Sequence, residues 1–206
     1  MKKYELTEET KVIDGKTLFR IRALRSFGDI KAGDLGGFIE NERNLSHEDN
    51  AWVSGNAKVI DNARVSDNAL VIDNARVSGE AWVDGNARVS GNARVIDNAR
   101  VSGYAKVGGK AIVGGEAWVS GEAQVSDDGL INSNNDYLCE KGLGSHNRSA
   151  SFFKCKDGHI HVLCGCFSGN LDEFENKVKE EHGNSKYAKE YLGFIEVVKT
   201  HFEVCQ

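Results

Sequence analysis

The sequence predicts a mainly β fold in which short parallel strands coil around a common axis. First, valine recurs every six residues from Val53 to Val125, and Ile131 continues the series. Second, an alanine lies two positions before each of these valines, from Ala51 to Ala123. Third, glycine or aspartate lies two positions after each valine. A six-residue period fits neither a helix nor a long plain strand, so each repeat is interpreted as one strand and one corner of a three-sided coil.

Each repeat supplies an inward valine, a small inward alanine near the corner, and a corner pair such as Gly55-Asn56 or Asp61-Asn62. Glycine and asparagine tolerate the positive φ of a sharp corner. In this pattern residues 49–131 resemble the hexapeptide-repeat, left-handed parallel β-helix. The resemblance, and not the spacing, implies the left-handed winding. Because stacked windings expose a hydrophobic end, both flanking segments are expected to act as caps.

Residues 1–48 are predicted to form a β cap on the first end of the coil. Asp14-Gly15 is a two-residue turn signal between two strand-like runs, which predicts a hairpin over residues 4–24. Further along, Leu45 and His47 are expected in the alanine and valine positions of an imperfect first winding.

The outward positions of the windings form columns of residues eighteen apart. One column alternates arginine and tryptophan, which predicts a cation–π ladder; its members are Arg64, Trp82, Arg100 and Trp118. Other outward positions are apolar, namely Trp52, Ile60, Ile72 and Ile96. Outward apolar side chains suggest a covered surface. Proteins with similar repeats commonly form threefold homo-oligomers, so the resemblance implies a homo-oligomer with a trimer favoured. Scattered exposed groups on a monomer are the alternative.

Residues 132–206 are predicted to form a small α+β domain with three strands and two helices. The strands are expected at 137–139, 150–155 and 159–167, with a hairpin turn at Asp157-Gly158. Asn170 and Glu173 have the spacing of a helix capping box. A break at 183–185 separates the first helix from the second.

This C-terminal segment also resembles one found in uncharacterised phage and prophage proteins of Gram-positive bacteria. The matching stretches are 144–148 (Gly-Ser-His-Asn-Arg), 164–169 (Cys-Gly-Cys-Phe-Ser-Gly) and 187–191 (Tyr-Ala-Lys-Glu-Tyr). The resemblance implies a phage setting and transfers no known chemistry.

Composition restricts the possible partners and location. The chain has 26 basic and 31 acidic residues and a net charge of −5, whereas nucleic-acid binders usually show a basic face. We therefore expect no nucleic-acid polymer as partner. No apolar run is long enough to span a membrane, and the N-terminus lacks the apolar core of a signal peptide. Together with five cysteines, this predicts reduced thiols and a cytoplasmic location. The resemblance of the C-terminal segment implies that this cytoplasm is that of an infected or lysogenic bacterial host.

Four residues near 159–167 suggest a zinc hypothesis, namely His159, His161, Cys164 and Cys166. Along a regular strand the two histidines share one face and the two cysteines the other, so one tetrahedral ion cannot bind all four. A bulge at Gly165 would change that geometry. We expect neither a metal nor a cofactor.

Many proteins of the resembled repeat type are acyltransferases with a histidine in or near the windings. Here no histidine lies between His47 and His146, and no long loop interrupts the windings. Ser145 and His146 are adjacent, but catalytic triads are defined by geometry and not by adjacency. We therefore expect no catalytic residues and no enzyme, with an acyltransferase as the enzymatic alternative.

The segment 142–149 is the densest cluster of small residues and hydrogen-bond donors. Small residues let backbone N–H groups approach an anion, and Arg148 can bind a phosphate through two hydrogen bonds. The predicted ligand-binding residues are Gly144, Ser145, His146, Asn147, Arg148, Ser149, Phe167 and Tyr191. An ordinary polar connection is the alternative interpretation of this segment.

These observations favour a phage-encoded, oligomeric binding protein that sequesters a small phosphorylated, nucleotide-derived ligand. A cyclic ADP-ribose type of immune signal is the most concrete candidate, and its capture would counteract host defence. Besides the acyltransferase, a structural phage component with the coil as a rigid spacer remains an alternative.

Overall fold

The computed structural model describes residues 2–203. Residue 1 of the predicted cap and residues 204–206 of the predicted C-terminal domain lie outside the described part of the chain. The chain is mainly β. A parallel β-solenoid of about five windings lies between a β cap and a four-stranded sheet that carries two helices. The predicted parallel coil is therefore confirmed.

The cap contains β1 (Tyr4–Ile13), β2 (Lys16–Ala23), β3 (Leu35–Ile39) and a 3₁₀ helix (Glu42–Asn44). β1 and β2 form the predicted antiparallel hairpin, and both turn residues, Asp14 and Gly15, have positive φ. Such a turn matches the twist of the flanking strands. β3 pairs with β2 and also, in parallel, with the solenoid strand at Lys58–Val59. The cap therefore belongs to one sheet of the solenoid.

Fourteen two-residue strands form the solenoid: β4 (Trp52–Val53), β5 (Lys58–Val59), β6 (Arg64–Val65), β7 (Leu70–Val71), β8 (Arg76–Val77), β9 (Trp82–Val83), β10 (Arg88–Val89), β11 (Arg94–Val95), β12 (Arg100–Val101), β13 (Lys106–Val107), β14 (Ile112–Val113), β15 (Trp118–Val119), β16 (Gln124–Val125) and β17 (Leu130–Ile131). They stack in parallel as three sheets, one for each side. Within a sheet, paired residues are eighteen apart, as in Val95 and Val113.

The interior of the solenoid consists of the repeated valines and alanines, which are all buried. Backbone hydrogen bonds join each winding to the next: Arg94 N donates to Ala111 O and Ile96 N donates to Val113 O, both at 2.9 Å. Each winding thus satisfies the polar backbone groups of its neighbours while the side chains stack inside.

The corners explain why aspartate and glycine share one position of the repeat. Both types have positive φ there, from 50° to 62° for the aspartates of the repeat. In four places an aspartate carboxylate accepts a hydrogen bond from the glycine N–H at the same corner of the next winding. The donor–acceptor pairs are Gly79–Asp61, Gly85–Asp67, Gly91–Asp73 and Gly115–Asp97.

A buried lysine completes the first end of the solenoid. Lys3 Nζ donates to the carbonyl oxygens of Glu48, Asp49 and Ala51, at 3.0, 3.4 and 2.8 Å. These carbonyls have no preceding winding to pair with, so the ammonium group supplies the missing donors.

Three predictions for this end need correction. Leu45, and not His47, takes the valine position, because Leu45 bridges to Val65 and is buried. Trp52 was expected on an outward surface but is buried beneath the cap, with its ring 5.3 Å from that of Phe27. Ile60 is likewise buried in a small cluster with cap residues. The cap, and not a partner, covers these two side chains.

The predicted cation–π ladder is confirmed on the side formed by β6, β9, β12 and β15. The guanidinium of Arg64 lies 5.5 Å from the ring centre of Trp82, and that of Arg100 lies 5.6 Å from Trp82 and 5.3 Å from Trp118. Both tryptophans remain about half exposed. This side therefore presents a stacked, partly apolar surface.

The C-terminal domain contains β18 (Tyr137–Leu143), β19 (Arg148–Lys154), β20 (Ile160–Cys164), β21 (Phe167–Asn170), α1 (Leu171–His182) and α2 (Lys186–His201). The four strands form an antiparallel meander, with a 3₁₀ helix (Asn134–Asp136) before it. The Asn170–Glu173 capping box and the two helices are confirmed. Among the described residues, no helix is both long and apolar enough to cross a membrane.

The predicted third strand over 159–167 is wrong in one respect. The chain turns at Gly165 and Cys166, and Gly165 has a φ of 62°. β20 therefore ends at Cys164, and a fourth strand returns from Phe167. The run over 159–167 predicts one continuous strand, but the positive φ of Gly165 ends the strand there.

β19 closes the second end of the solenoid. Phe153 and Cys155 pack into the solenoid core, and Gly129 in the last winding bridges to Cys155. Ser151 Oγ accepts a hydrogen bond from Gln124 N at 2.9 Å. The C-terminal sheet is thus also the second cap.

We expect Asp97→Ala to lower the free energy of unfolding by about 1–2 kcal/mol, because alanine is disfavoured at positive φ and cannot accept the Gly115 hydrogen bond. Asp97→Asn retains both properties and should stay within about 0.5 kcal/mol of the parent. Denaturant unfolding of both variants measures the difference. Equal losses in the two variants would contradict this role of the corner aspartates.

Candidate functional site

The predicted ligand loop is a tight hairpin turn between β18 and β19. Asn147 N donates to Gly144 O at 3.3 Å, and both residues have positive φ. Gly144 is buried in the turn, whereas Ser145, His146 and Asn147 are exposed. The turn is therefore a compact tip with three polar side chains in solvent, and not a long loop that wraps around a ligand.

Three predicted residues come together beside this turn. Arg148, Phe167 and Tyr191 line a cleft of about 190 Å³, here called the Arg148 cleft, between the sheet and the two helices. The aromatic wall also includes Phe174, whose ring centre lies 5.1 Å from that of Phe167 and 5.8 Å from that of Tyr191. The cleft thus combines an aromatic wall with one cationic side chain from the sheet.

The Arg148 side chain lies across the turn between β20 and β21. Any side chain at Gly165 would overlap the guanidinium, so the glycine provides the space that Arg148 occupies. Within residues 2–203, no carboxylate forms an ion pair with this guanidinium. Its donors therefore remain available to an anionic ligand.

Helix α1 adds residues to the cleft that the sequence analysis missed. Lys177, Glu181 and His182 line it, and Lys177 Nζ lies 3.1 Å from a carboxylate oxygen of Glu181. The His182 ring stacks on that of Tyr191, with a centroid distance of 5.6 Å. The prediction was centred on the segment 142–149. The spacing of apolar residues in α1 shows only which of its residues face the core, so it gave no reason to include this helix in the site.

Other predicted residues lie elsewhere. Ser149 Oγ donates to Glu122 of the solenoid at 2.6 Å, so it faces away from the cleft. Ser145 Oγ and His146 Nδ1 are 2.9 Å apart, paired with each other at the exposed tip. Ser149 therefore lies outside the Arg148 cleft, because successive residues of a strand, here Arg148 and Ser149, point to opposite faces.

The two ionisable groups deep in the cleft are neutral near pH 7. Burial, followed by the neighbouring Cys164, raises the pKa of Tyr191 to about 12. Burial also raises the pKa of the Cys164 thiol, although Arg148 acts in the opposite direction. A thiol that stays protonated is a weak nucleophile, so this arrangement suits binding more than covalent chemistry.

A second hollow of about 690 Å³ lies at the opposite end of the sheet. Asp127, Asp128, Asp172 and Glu173 line it, and its one lysine, Lys199, pairs with other carboxylates. The hollow is therefore acidic and unsuited to phosphate.

The second hollow also contains the predicted histidine pair. His159 and His161 lie on one face, with ring centres 5.9 Å apart. Cys155 joins them there, whereas Cys164 lines the Arg148 cleft. Burial, then the neighbouring aspartates, raise the pKa of the Cys155 thiol to about 11.

A third hollow, of about 740 Å³, lies between the last windings and β18. Exposed Tyr104 and Trp118 line it, but its lysine, Lys141, pairs with Glu122. Of these three hollows, the Arg148 cleft alone contains a lysine or arginine with no ion pair to the described residues. A hollow of about 390 Å³ on the solenoid, lined by Arg43, Arg64 and Trp82, shares this property but lies away from the predicted ligand residues.

We expect Gly144→Ala to destabilise the protein more than Gly142→Ala does. Both glycines have positive φ, but only at Gly144 would an added Cβ collide with Tyr191, 2.8 Å from its Cζ. The difference between the two variants should be about 1–3 kcal/mol in the free energy of unfolding. Equal effects in denaturant unfolding would show that Tyr191 does not pack on this turn.

Comparison with known proteins supports the β-solenoid fold and gives no match to the cap or the C-terminal domain. The family model of the YdcK β-solenoid repeat matches residues 63–79 and 87–103. Both segments lie within the windings, and neither reaches the cap or the Arg148 cleft. No curated protein matches the chain. The chain is thus similar to this β-solenoid repeat in its windings.

Proposed function

We propose that this chain is a non-enzymatic binding protein that captures a small phosphorylated, nucleotide-like ligand at the Arg148 cleft. The observation that carries the proposal is the Arg148 guanidinium, which lies beside an aromatic wall without a carboxylate partner among the described residues. A guanidinium binds phosphate through two parallel hydrogen bonds. Aromatic faces at Phe167 and His182 suit the stacking of a flat base.

The size of the cleft limits how much of the ligand it encloses. Pockets that enclose a drug-sized ligand usually measure about 300–1,000 Å³, whereas the Arg148 cleft measures about 190 Å³. One phosphate and an adjoining group fit this space. The rest of a cyclic ADP-ribose type of ligand would lie over the exposed tip, where Ser145, His146 and Asn147 offer polar groups.

Binding without turnover agrees with the chemistry of the cleft. Tyr191 and Cys164 are both held in their neutral forms, so neither supplies a ready base or nucleophile. An acyltransferase would need a histidine at the windings. The nearest one before the repeats, His47, instead stacks on Tyr4 at 4.3 Å and accepts a hydrogen bond from Lys3 N.

The proposal includes a setting and an assembly. The resemblance of the C-terminal segment to phage and prophage proteins favours a phage-encoded protein that acts in the host cytoplasm against a nucleotide immune signal. The resemblance of the windings favours a left-handed coil and a homotrimer. The exposed side with Trp82 and Trp118 is the surface that we assign to the contact between copies.

We expect Arg148→Ala to weaken binding by about 10–150-fold, because hydrogen bonds to a charged group contribute about 1.5–3 kcal/mol. Calorimetric titration with inorganic phosphate, ADP-ribose and cyclic ADP-ribose measures this effect. The matched control is Arg88→Ala, which removes an exposed arginine from the windings and should leave binding unchanged.

The same titration separates the competing functions. The bound nucleotide should be recovered unchanged after the complex is denatured, whereas an altered nucleotide would indicate an enzyme. Failure of all three compounds to bind would favour a rigid structural spacer. Equal affinity in the parent and Arg148→Ala proteins would remove the assigned site.

A further inference from the structure

We propose that Cys155, His159 and His161 form a zinc-binding site at the junction between the solenoid and the C-terminal sheet. One sulfur and two imidazole nitrogens are a ligand set that Zn²⁺ prefers. This site is separate from the Arg148 cleft and does not depend on the function proposed for that cleft.

The hairpin between β19 and β20 brings the three residues together. Cys155 N donates to His159 O at 2.9 Å, so these two residues face each other at the end of the hairpin. His161 follows two positions later and therefore lies on the same face as His159. The candidate ligand atoms all lie within 4.8 Å of one another.

Little movement is needed to bind an ion. Ligand atoms of a tetrahedral zinc site are about 3.5 Å apart, given Zn–S and Zn–N bonds of about 2.3 and 2.0 Å. Contraction by at most about 1.3 Å, through side-chain rotation, brings the three atoms to this separation. The His159 side chain is about two-fifths exposed at the turn, so part of its ring borders solvent and not packed side chains.

Each histidine already has a partner of the kind found around zinc ligands. His159 Nδ1 lies 2.5 Å from a carboxylate oxygen of Asp157, and His161 Nε2 lies 2.9 Å from Ser168 Oγ. In zinc sites the nitrogen that does not bind the metal commonly contacts a carboxylate or another polar group. We therefore assign the other nitrogen of each ring to the ion.

The surroundings favour a cation and leave one position open. Asp127 lies 3.5 Å from His161, and Asp128, Asp172 and Glu173 line the adjoining hollow of about 690 Å³. Three protein ligands with a fourth position open to solvent are typical of zinc sites that accept water or an exogenous ligand. The fourth position faces this hollow.

Cobalt titration of the reduced, metal-free full chain tests the proposal. We expect one equivalent of Co²⁺ to bind and to produce a thiolate-to-cobalt charge-transfer band, which one equivalent of Zn²⁺ then abolishes. Cys155→Ser should lose the band. Cys166→Ser, which removes an exposed thiol outside the cluster, should keep it.

Two further variants keep the test decisive if Cys155→Ser does not fold. Asp157→Asn should weaken zinc binding by about 10–100-fold, as loss of a supporting carboxylate does, and His159→Ala should weaken it more. Both substitutions change exposed side chains at the turn. The proposal is overturned if the parent shows no band, if the band persists in Cys155→Ser, or if His159→Ala binds zinc as tightly as the parent.

Discussion

The structure depends on the backbone ladder between successive windings. A two-residue strand is too short to be stable alone, and each one is held only by hydrogen bonds to the windings on either side. The buried valines stack eighteen residues apart, so neighbouring windings also cover each other's apolar side chains. Such a stack has no stable end of its own, because the first winding exposes unpaired carbonyls, the last exposes unpaired N–H groups, and both expose a hydrophobic cross-section.

The two caps solve this problem differently, and the difference explains the position of the candidate sites. The first cap uses the buried ammonium of Lys3 and the ring of Tyr4. The second cap is strand β19, which places Phe153 against the solenoid and Phe152 against the helices. A strand with two buried faces fixes the C-terminal sheet on the scaffold. The Arg148 cleft lies at one end of this strand, and the site of Cys155, His159 and His161 lies just beyond the other end.

The sequence predicts the repetitive part of the fold well because each position of the repeat has one physical role. The inward valine and alanine, the corner residues, and the Arg–Trp column all follow from a single period. The prediction fails where contacts are not local. Trp52 is covered by the distant Phe27, Ser149 turns toward Glu122, and Cys155 meets His159 only through the hairpin. No spacing rule encodes these contacts, since they arise from tertiary packing.

Hydrogen exchange of the full chain, with and without saturating cyclic ADP-ribose, tests most directly whether the windings are a scaffold and the C-terminal sheet binds the ligand. The account predicts slow exchange over residues 57–119 that is identical in both states, and added protection at 143–149 and 164–167 on binding. Protection confined to the windings, or no change anywhere in the chain, would contradict it.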